Sequence, residues 1–471
     1  MGASAPAGLA LAALLGSACG PERIILPPPP DTSAPAVHVL SPTPSAYDLD
    51  GDAFVDVSVT WADSGGRVGF AHATLRSLDG LTPPAPDTAD LLRHWRIERL
   101  DSTGLIAHET VDHLLRRGVS RLLLEVPDTA GNVRRDTLVV QLPNYLTLSR
   151  TIPTGGSLWF PAEHLVICED GLLYVTVGDQ VAVIDPDSLA LIETVQPGST
   201  IETNPSDGLH QPVCVPGDPV LYISDHRLMR LDRPTRRWVP RISASWSSTA
   251  LALSRRDPDV LYEGERIDAL VGIISRRLGR RTGSLLQTAP WNTNINAIVP
   301  APGDNPLYVA YGEFGGVWAV DPLRDTVLVR FNLADPGDSS YLGGAMDMVP
   351  NLDGTKVYVA VTDGSPRGVA EIDVATNRIT RRLGLVLSVP ISLAVSPDGR
   401  YLFVTTQDQW LNTPSTNVLI DLAAWQPLEF VPRPRPPGQV IRYDRGVVFH
   451  PDGRRIFVAH DKNVDVYLMR Q

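Results

Sequence analysis

The chain has 471 residues, too long for one ordinary core, so two or more domains are expected. At 43% hydrophobic and 20% charged residues it has the composition of globular domains, which excludes a largely disordered chain. A formal net charge of -12, with no basic run along the sequence, argues against nucleic acid as a partner.

Residues 8–18, GLALAALLGSA, form an apolar run that ends in small residues before Cys19. At about 11 residues it is too short to span a bilayer and has the size of a signal-peptide core. Leu15-Gly16-Ser17-Ala18-Cys19 resembles a bacterial lipobox, although no Lys or Arg precedes the run and Leu15 stands one place too far from the cysteine. The resemblance implies export and lipidation at Cys19, on the periplasmic side or at the cell surface. The alternative is an ordinary signal peptide with an incidental cysteine. Pro27-Pro28-Pro29-Pro30 lies within residues 20–35 and favours a stiff polyproline II spacer that holds the folded part off a membrane.

Residues 36–143 read as a small all-β domain, with candidate strands at 37–40, 54–61, 71–78 and 137–142. Val55, Val57, Val59 and Trp61 alternate with polar residues, the period of a half-buried strand. Asp128-Thr129-Ala130-Gly131-Asn132 supplies turn residues between two strands. This DxAGN turn before a last strand resembles bacterial Ig-like domains and implies a β-sandwich. Residues 90–117 depart from it and admit a helix. Just ahead of the second strand, Asp48, Asp50, Asp52 and Asp56 match part of a calcium loop. Ala53 stands where such a loop needs glycine and Val59 where it needs a bidentate acid, so the competing reading is a solvated acidic turn.

Residues 144–471 repeat one unit. In SLAVSPDGRYLFVTT, an alternating apolar run meets Ser396-Pro397-Asp398-Gly399 and a second run follows. Pro fixes φ and Gly accepts positive φ, so the unit is two antiparallel strands joined by a tight turn. The aromatic of the second strand recurs as Tyr174, Tyr222, Tyr262, Tyr308, Tyr358, Phe403 and Phe457, about 40–54 residues apart. That is the period of a four-stranded propeller blade. A third strand ends at Asp185, Asp232, Asp321, Asp373 or Asp421, with Ser275 in the third repeat, and a fourth strand follows. Seven markers predict an all-β, seven-bladed β-propeller. After Phe457 there is room for a third strand only, so residues 146–155 are expected to complete the last blade and close the ring. The order strand, VIDP, strand, Gly, strand, SPDG, YVT is similar to the YVTN family of propellers, which occur in bacterial and archaeal surface and exported proteins. The resemblance implies fold and compartment rather than chemistry.

The candidate chemistry is sparse. Three cysteines form no CxxC or Cys/His cluster, so a structural zinc site is not expected. Cys168 and Cys214 fall on the first strands of neighbouring blades, either as a disulfide of an exported protein or as two buried thiols. His164 and His210 precede the first strands of blades one and two, near the channel mouth, with Glu163, Asp347 and Asp444 as candidate acids. Trp159, Trp246, Trp291 and Trp410 lie on long loops assigned to the same face as these histidines. Exposed aromatics on long loops mark a binding surface, while the competing reading folds them into the core. The reading that joins these features is a monomeric, membrane-tethered binding protein whose partner is a protein, a glycan or a cell-wall component. It needs no cofactor, calcium aside. The alternative is an exported propeller hydrolase or lyase, lactonase-like, acting at the channel mouth.

Overall fold

A computed structural model of the chain describes residues 34–41, 56–63, 68–77, 96–108, 118–142, 145–155, 162–197, 209–225, 227–242, 248–265, 269–285, 294–312, 315–334, 343–363, 367–385, 389–407, 416–432, 444–460 and 462–469. Among these the structure is all-β, with only short 3-10 turns besides the strands.

The N-terminal part forms two sheets. One pairs Ala36–Ser41, Asp56–Ala62, Gly104–His108 and Arg96–Asp101 in that order, and the other Thr74–Ser77, Gly118–Pro127 and Val133–Leu142. Val57, Val59 and Trp61 alternate inward as their spacing predicts, and meet Leu75, Leu105, Leu122 and Leu124 of both sheets in one core. Within the region that admitted a helix, the described residues 96–108 form a hairpin instead, and the remainder lies outside the described residues. Asp101 Oδ1 accepts from the backbone N–H of Thr103 at 2.7 Å and of Gly104 at 3.2 Å, which forms the turn. A side chain at Gly104 would meet the carbonyl oxygen of Val59 at 2.2 Å, so only glycine lets the strands pair there. In the expected DxAGN turn, Asp128 Oδ1 accepts from the N–H of Ala130 and of Asn132, each at 2.8 Å. Burial alone would raise the Asp128 carboxyl, but these bonds and the Asn132 side chain hold it below its ordinary value.

From Leu146 onward the described strands form seven antiparallel sheets of four strands. Six use consecutive strands, beginning at Ala162–Ile167, Pro212–Cys214, Ser248–Leu253, Ile295–Pro300, Gly344–Pro350 and Val389–Val395. The seventh orders Asp444–Phe449, Arg455–His460, Asn463–Met469 and then Leu146–Pro153. The closing pair runs in register with Val464 opposite Ile152 and Met469 opposite Leu146, the pairing expected from the missing fourth strand. The first strand of each sheet packs against the first strand of the next, and the seventh against the first. All seven marker aromatics are buried. The hydrophobic clusters lie between sheets: Tyr174 packs with Leu221 and Leu231 of the second sheet, and Phe457 with Leu173 and Val175 of the first.

The turn chemistry follows the sequence. Asp185, Asp321 and Asp421 each accept from two backbone N–H groups of the turn that follows. Ser275 replaces the aspartate without loss, because its Oγ accepts from Leu278 N–H at 3.1 Å and donates to Asp259 at 2.6 Å.

Candidate functional site

The first strands surround the axis, so their polar side chains are the first candidates for chemistry. Pairing with the marker aromatics aligns them in space. Tyr174, Tyr222, Tyr358 and Phe403 lie opposite Val166, Val213, Val349 and Ala394. Two residues before these stand His164, Gln211, Asp347 and Ser392. His164 and Gln211 are therefore structural equivalents, and His210 falls one place earlier, at the position of Glu163. The two histidines therefore do not share one position.

The aligned polar side chains bridge neighbouring sheets. Gln211 Oε1 accepts from Leu251 N–H of the third sheet at 3.1 Å. Asp347 Oδ2 does the same toward the sixth sheet, accepting from Leu393 N–H at 2.8 Å and Ser392 Oγ–H at 2.7 Å. Its Oδ1 accepts from Met348 N–H at 2.8 Å. One position earlier, Asn296 donates to the carbonyl oxygen of Ala345 at 2.9 Å, and Thr249 to that of Ile295 at 2.5 Å. Burial pushes the Asp347 carboxyl up to about 6, against the opposing pull of Ser392, Leu393 and Met348. His164 and His210 are half-buried. The backbone of His164 is held by the Thr176 hydroxyl, and His210 N–H donates to the Ser224 carbonyl at 2.8 Å.

A second set of ties joins neighbouring sheets through the hairpins. Tyr174 donates its hydroxyl proton to Asp170 at 2.8 Å, and Asp170 pairs with Arg233 of the second sheet at 2.9 Å. Tyr222, Asp218 and Arg276 of the third sheet repeat the arrangement. Tyr262 donates to Asp304 of the fourth sheet at 3.0 Å. The marker tyrosines are thus polar clamps as well as core, a role their hydroxyls carried in the sequence and that reading them as apolar markers overlooked. Cys168 and Cys214 form a disulfide between the first two sheets, with Cα atoms 5.7 Å apart across 46 residues. In the closing sheet, buried His460 and Asp465 meet at 2.9 Å, and Thr151 of the N-terminal strand donates to Asp465 at 2.5 Å.

Several sequence candidates lie outside the described residues: Cys19, Asp48, Asp50, Asp52, Trp159, Trp246, Trp291 and Trp410. Asp56 opens the second strand of the N-terminal part. Among the described residues no group of three or more His, Cys, Asp and Glu side chains is arranged to hold a metal ion.

No family model and no curated protein matches the chain. Among solved structures, a chain of the "Crystal Structure of Mitotic Checkpoint Complex" matches with a TM-score of 0.52 at 14% identity, covering 69% of this chain and 92% of that one. At that identity the likeness is of fold, and with the repeated four-stranded sheets it makes the C-terminal region a β-propeller. In all, 1224 chains of solved structures match, so the fold does not narrow the function.

Proposed function

We propose that the protein is an exported, membrane-tethered binding protein that presents a seven-bladed, YVTN-type propeller at the cell envelope. In this reading residues 1–19 are a signal peptide ending at lipidated Cys19 and 20–35 a tether. Residues 36–143 form an Ig-like sandwich and 144–471 the propeller. The seven sheets in cyclic contact support the blade count, and the Asp128-capped turn supports the Ig-like module. The disulfide between Cys168 and Cys214 supports an oxidising compartment. The observation that carries the binding role is the use made of the axial polar groups. Gln211 and Asp347, equivalent in position, both spend their oxygens on the backbone of the next sheet. A side chain so used holds blades together rather than facing a substrate. The partner is a protein, a glycan or a wall component.

A hydrolase or lyase at the channel mouth is the second reading, and Asp347 is the observation in its favour, since a carboxyl raised to about 6 suits proton transfer. One experiment addresses both. Cells producing the wild type, Cys19→Ser and Asp347→Asn are fractionated, and the purified chains are offered a panel of lactones, esters and uronides. The binding reading expects wild type in the membrane fraction, Cys19→Ser in the soluble fraction, and no turnover. Membrane retention of Cys19→Ser removes the lipid anchor. Turnover by the wild type that Asp347→Asn abolishes replaces the binding reading with the enzymatic one.

A further inference from the structure

The charge of the chain is sorted by position. Fourth strands form the outer edge of each sheet, and in the second to fifth sheets these are Arg237–Ile242, Arg280–Leu285, Thr326–Phe331 and Arg378–Gly384. They carry two, two, one and three arginines respectively and no acidic residue. Of the acids in the same sheets, Glu263, Glu265, Asp304, Asp321 and Glu371 are buried, while Asp257, Asp325 and Asp353 are exposed on the turns between strands. In a chain with a net charge of -12, the outer strands of four consecutive sheets are thus themselves cationic. Some of these arginines are engaged within the fold, such as Arg281 with Glu265 and Arg381 with Glu371. Arg237, Arg280 and Arg378 are exposed, and their side chains make no hydrogen bond or ion pair with another described residue. All three occupy the same place, the first residue of the fourth strand, opposite the last residue of the third, which is Asp232, Ser275 and Asp373 in turn.

Charges on outer strands also serve to block edge-to-edge pairing. That need is equal on every sheet, whereas the arginines are not shared equally. The outer strand of the first sheet carries Glu193, that of the sixth only a buried Glu429, and that of the seventh Arg150. The concentration on four neighbouring sheets asks for a ligand as well.

We propose that the outer strands of these four sheets bind a flexible, linear polyanionic glycan, whose carboxylates or phosphates pair with the guanidinium groups of successive strands. The proposal rests on the reading of the propeller as an envelope binding module and specifies its partner. Charge complementarity gives the sign of the ligand, and guanidinium favours planar or tetrahedral oxyanions through paired N–H donors. Curvature gives its form. Outer strands of four successive sheets in a ring face successively different directions, so a flat bilayer meets only some of them at once and a flexible polymer can follow them all. The four strands hold one aromatic ring that is half-buried, Trp238, and one that is buried, Phe331, which leaves no stacking platform for the bases of a single-stranded nucleic acid.

The test uses the whole chain without its lipid and measures binding to polygalacturonate, with dextran as the neutral comparator. Phosphatidylglycerol vesicles and a single-stranded oligothymidylate are the other two arms. The expected result is binding to polygalacturonate and not to dextran, weakening steeply between about 20 and 200 mM salt. The triple variant Arg237→Gln/Arg280→Gln/Arg378→Gln should bind at least about tenfold more weakly, with a salt slope flatter by up to about 2. Arg150→Gln, exposed on the closing sheet, should bind as the wild type does. If the triple variant misfolds, Arg280→Gln alone should flatten the slope by up to about 0.7. Absence of binding at low salt, or a slope unchanged in these variants, overturns the proposal. So does a folded triple variant that self-associates yet keeps full affinity, which would assign the arginines to edge protection. Tighter binding to the vesicles or the oligonucleotide overturns the choice of a glycan. None of these outcomes depends on Cys19 or on turnover, so the envelope reading can stand if the glycan fails.

Discussion

Asp347→Asn separates a blade clasp from an ionisable group with a task. In the fold, burial pushes the Asp347 carboxyl up to about 6 from an ordinary value of 3.8. A folded-state value above the unfolded one means that the protonated form is preferred on folding. The stability linked to this proton is fully present below about pH 4 and is lost as pH rises through 6. The shift corresponds to about 3 kcal/mol, an upper bound because the residue is only half-buried and water screens part of the cost. Asparagine keeps a carbonyl for Leu393 N–H and Ser392 Oγ–H, as Gln211 does for Leu251 N–H. Its amide then faces Met348 N–H where a carboxylate oxygen accepted, a cost of about 1–2 kcal/mol that does not vary with pH. The informative quantity is therefore the difference in unfolding free energy between the two proteins, measured by urea titration at several pH values. Between pH 4 and 7 the variant should gain on the wild type by about 1–3 kcal/mol. Parallel profiles across that window would refute the assignment of a clasp whose carboxyl titrates between pH 4 and 7.

Three further perturbations probe other ties. Cys168→Ser/Cys214→Ser opens a loop of 46 residues, for which chain entropy sets a loss of up to about 4 kcal/mol; an unchanged denaturation midpoint would show that the bridge does not hold the first two sheets. Ile152 and Leu148 share the closing strand, one buried and the other 41% exposed. Ile152→Asp should cost at least about 3 kcal/mol and Leu148→Asp less than about 0.5, read by thermal melting, and equal effects would mean that the strand does not dock as described. Arg233→Ala removes both the ion pair with Asp170 and the bond to the Asp218 carbonyl and should destabilise by about 1–3 kcal/mol, with Arg233→Lys recovering only part; full recovery by lysine would reduce the clamp to a point charge.

What the sequence made legible is what short-range chemistry encodes. Turn residues and alternating apolar runs gave the hairpins, and the recurrence of Tyr174 through Phe457 gave the repeat and the need for an N-terminal strand to complete the last sheet. Of the segment 90–117 where a helix was admitted, the described residues 96–108 form a hairpin of two strands. The charged run around Arg96 looked helical, while the deciding contact, Gly104 against Val59, joins residues far apart in sequence. The candidate site was less legible, because its partners are set by one sheet facing the next. Gln211 meets Leu251, Asp347 meets Leu393, and Cys168 meets Cys214, each about 40–46 residues away. Cys168 and Cys214 stand at different offsets from Tyr174 and Tyr222, six and eight residues, and still bond. Neighbouring sheets touch face to face, so equal offsets are not required for contact.

The same facing of sheets explains why the last sheet takes its fourth strand from the start of the repeat region. No sheet owns its core, since the cluster around Phe403, Leu419 and Leu428 belongs equally to the sheet of Phe449 and Tyr467, and that of Phe457 to the sheet of Leu173. In an open stack the terminal sheets would each leave one such face to water, at about 25 cal/mol for every Å² exposed. Pairing Leu146–Pro153 with Asn463–Met469 buries Leu146 in one cluster and Ile152 in the other, so a single strand serves both neighbouring interfaces. Thr151 and Asp465, joined across 314 residues, then fix that strand by a bond that can form only when both ends are in place. Removing the strand exposes two interfaces rather than one edge, so the propeller should unfold as a unit and not sheet by sheet.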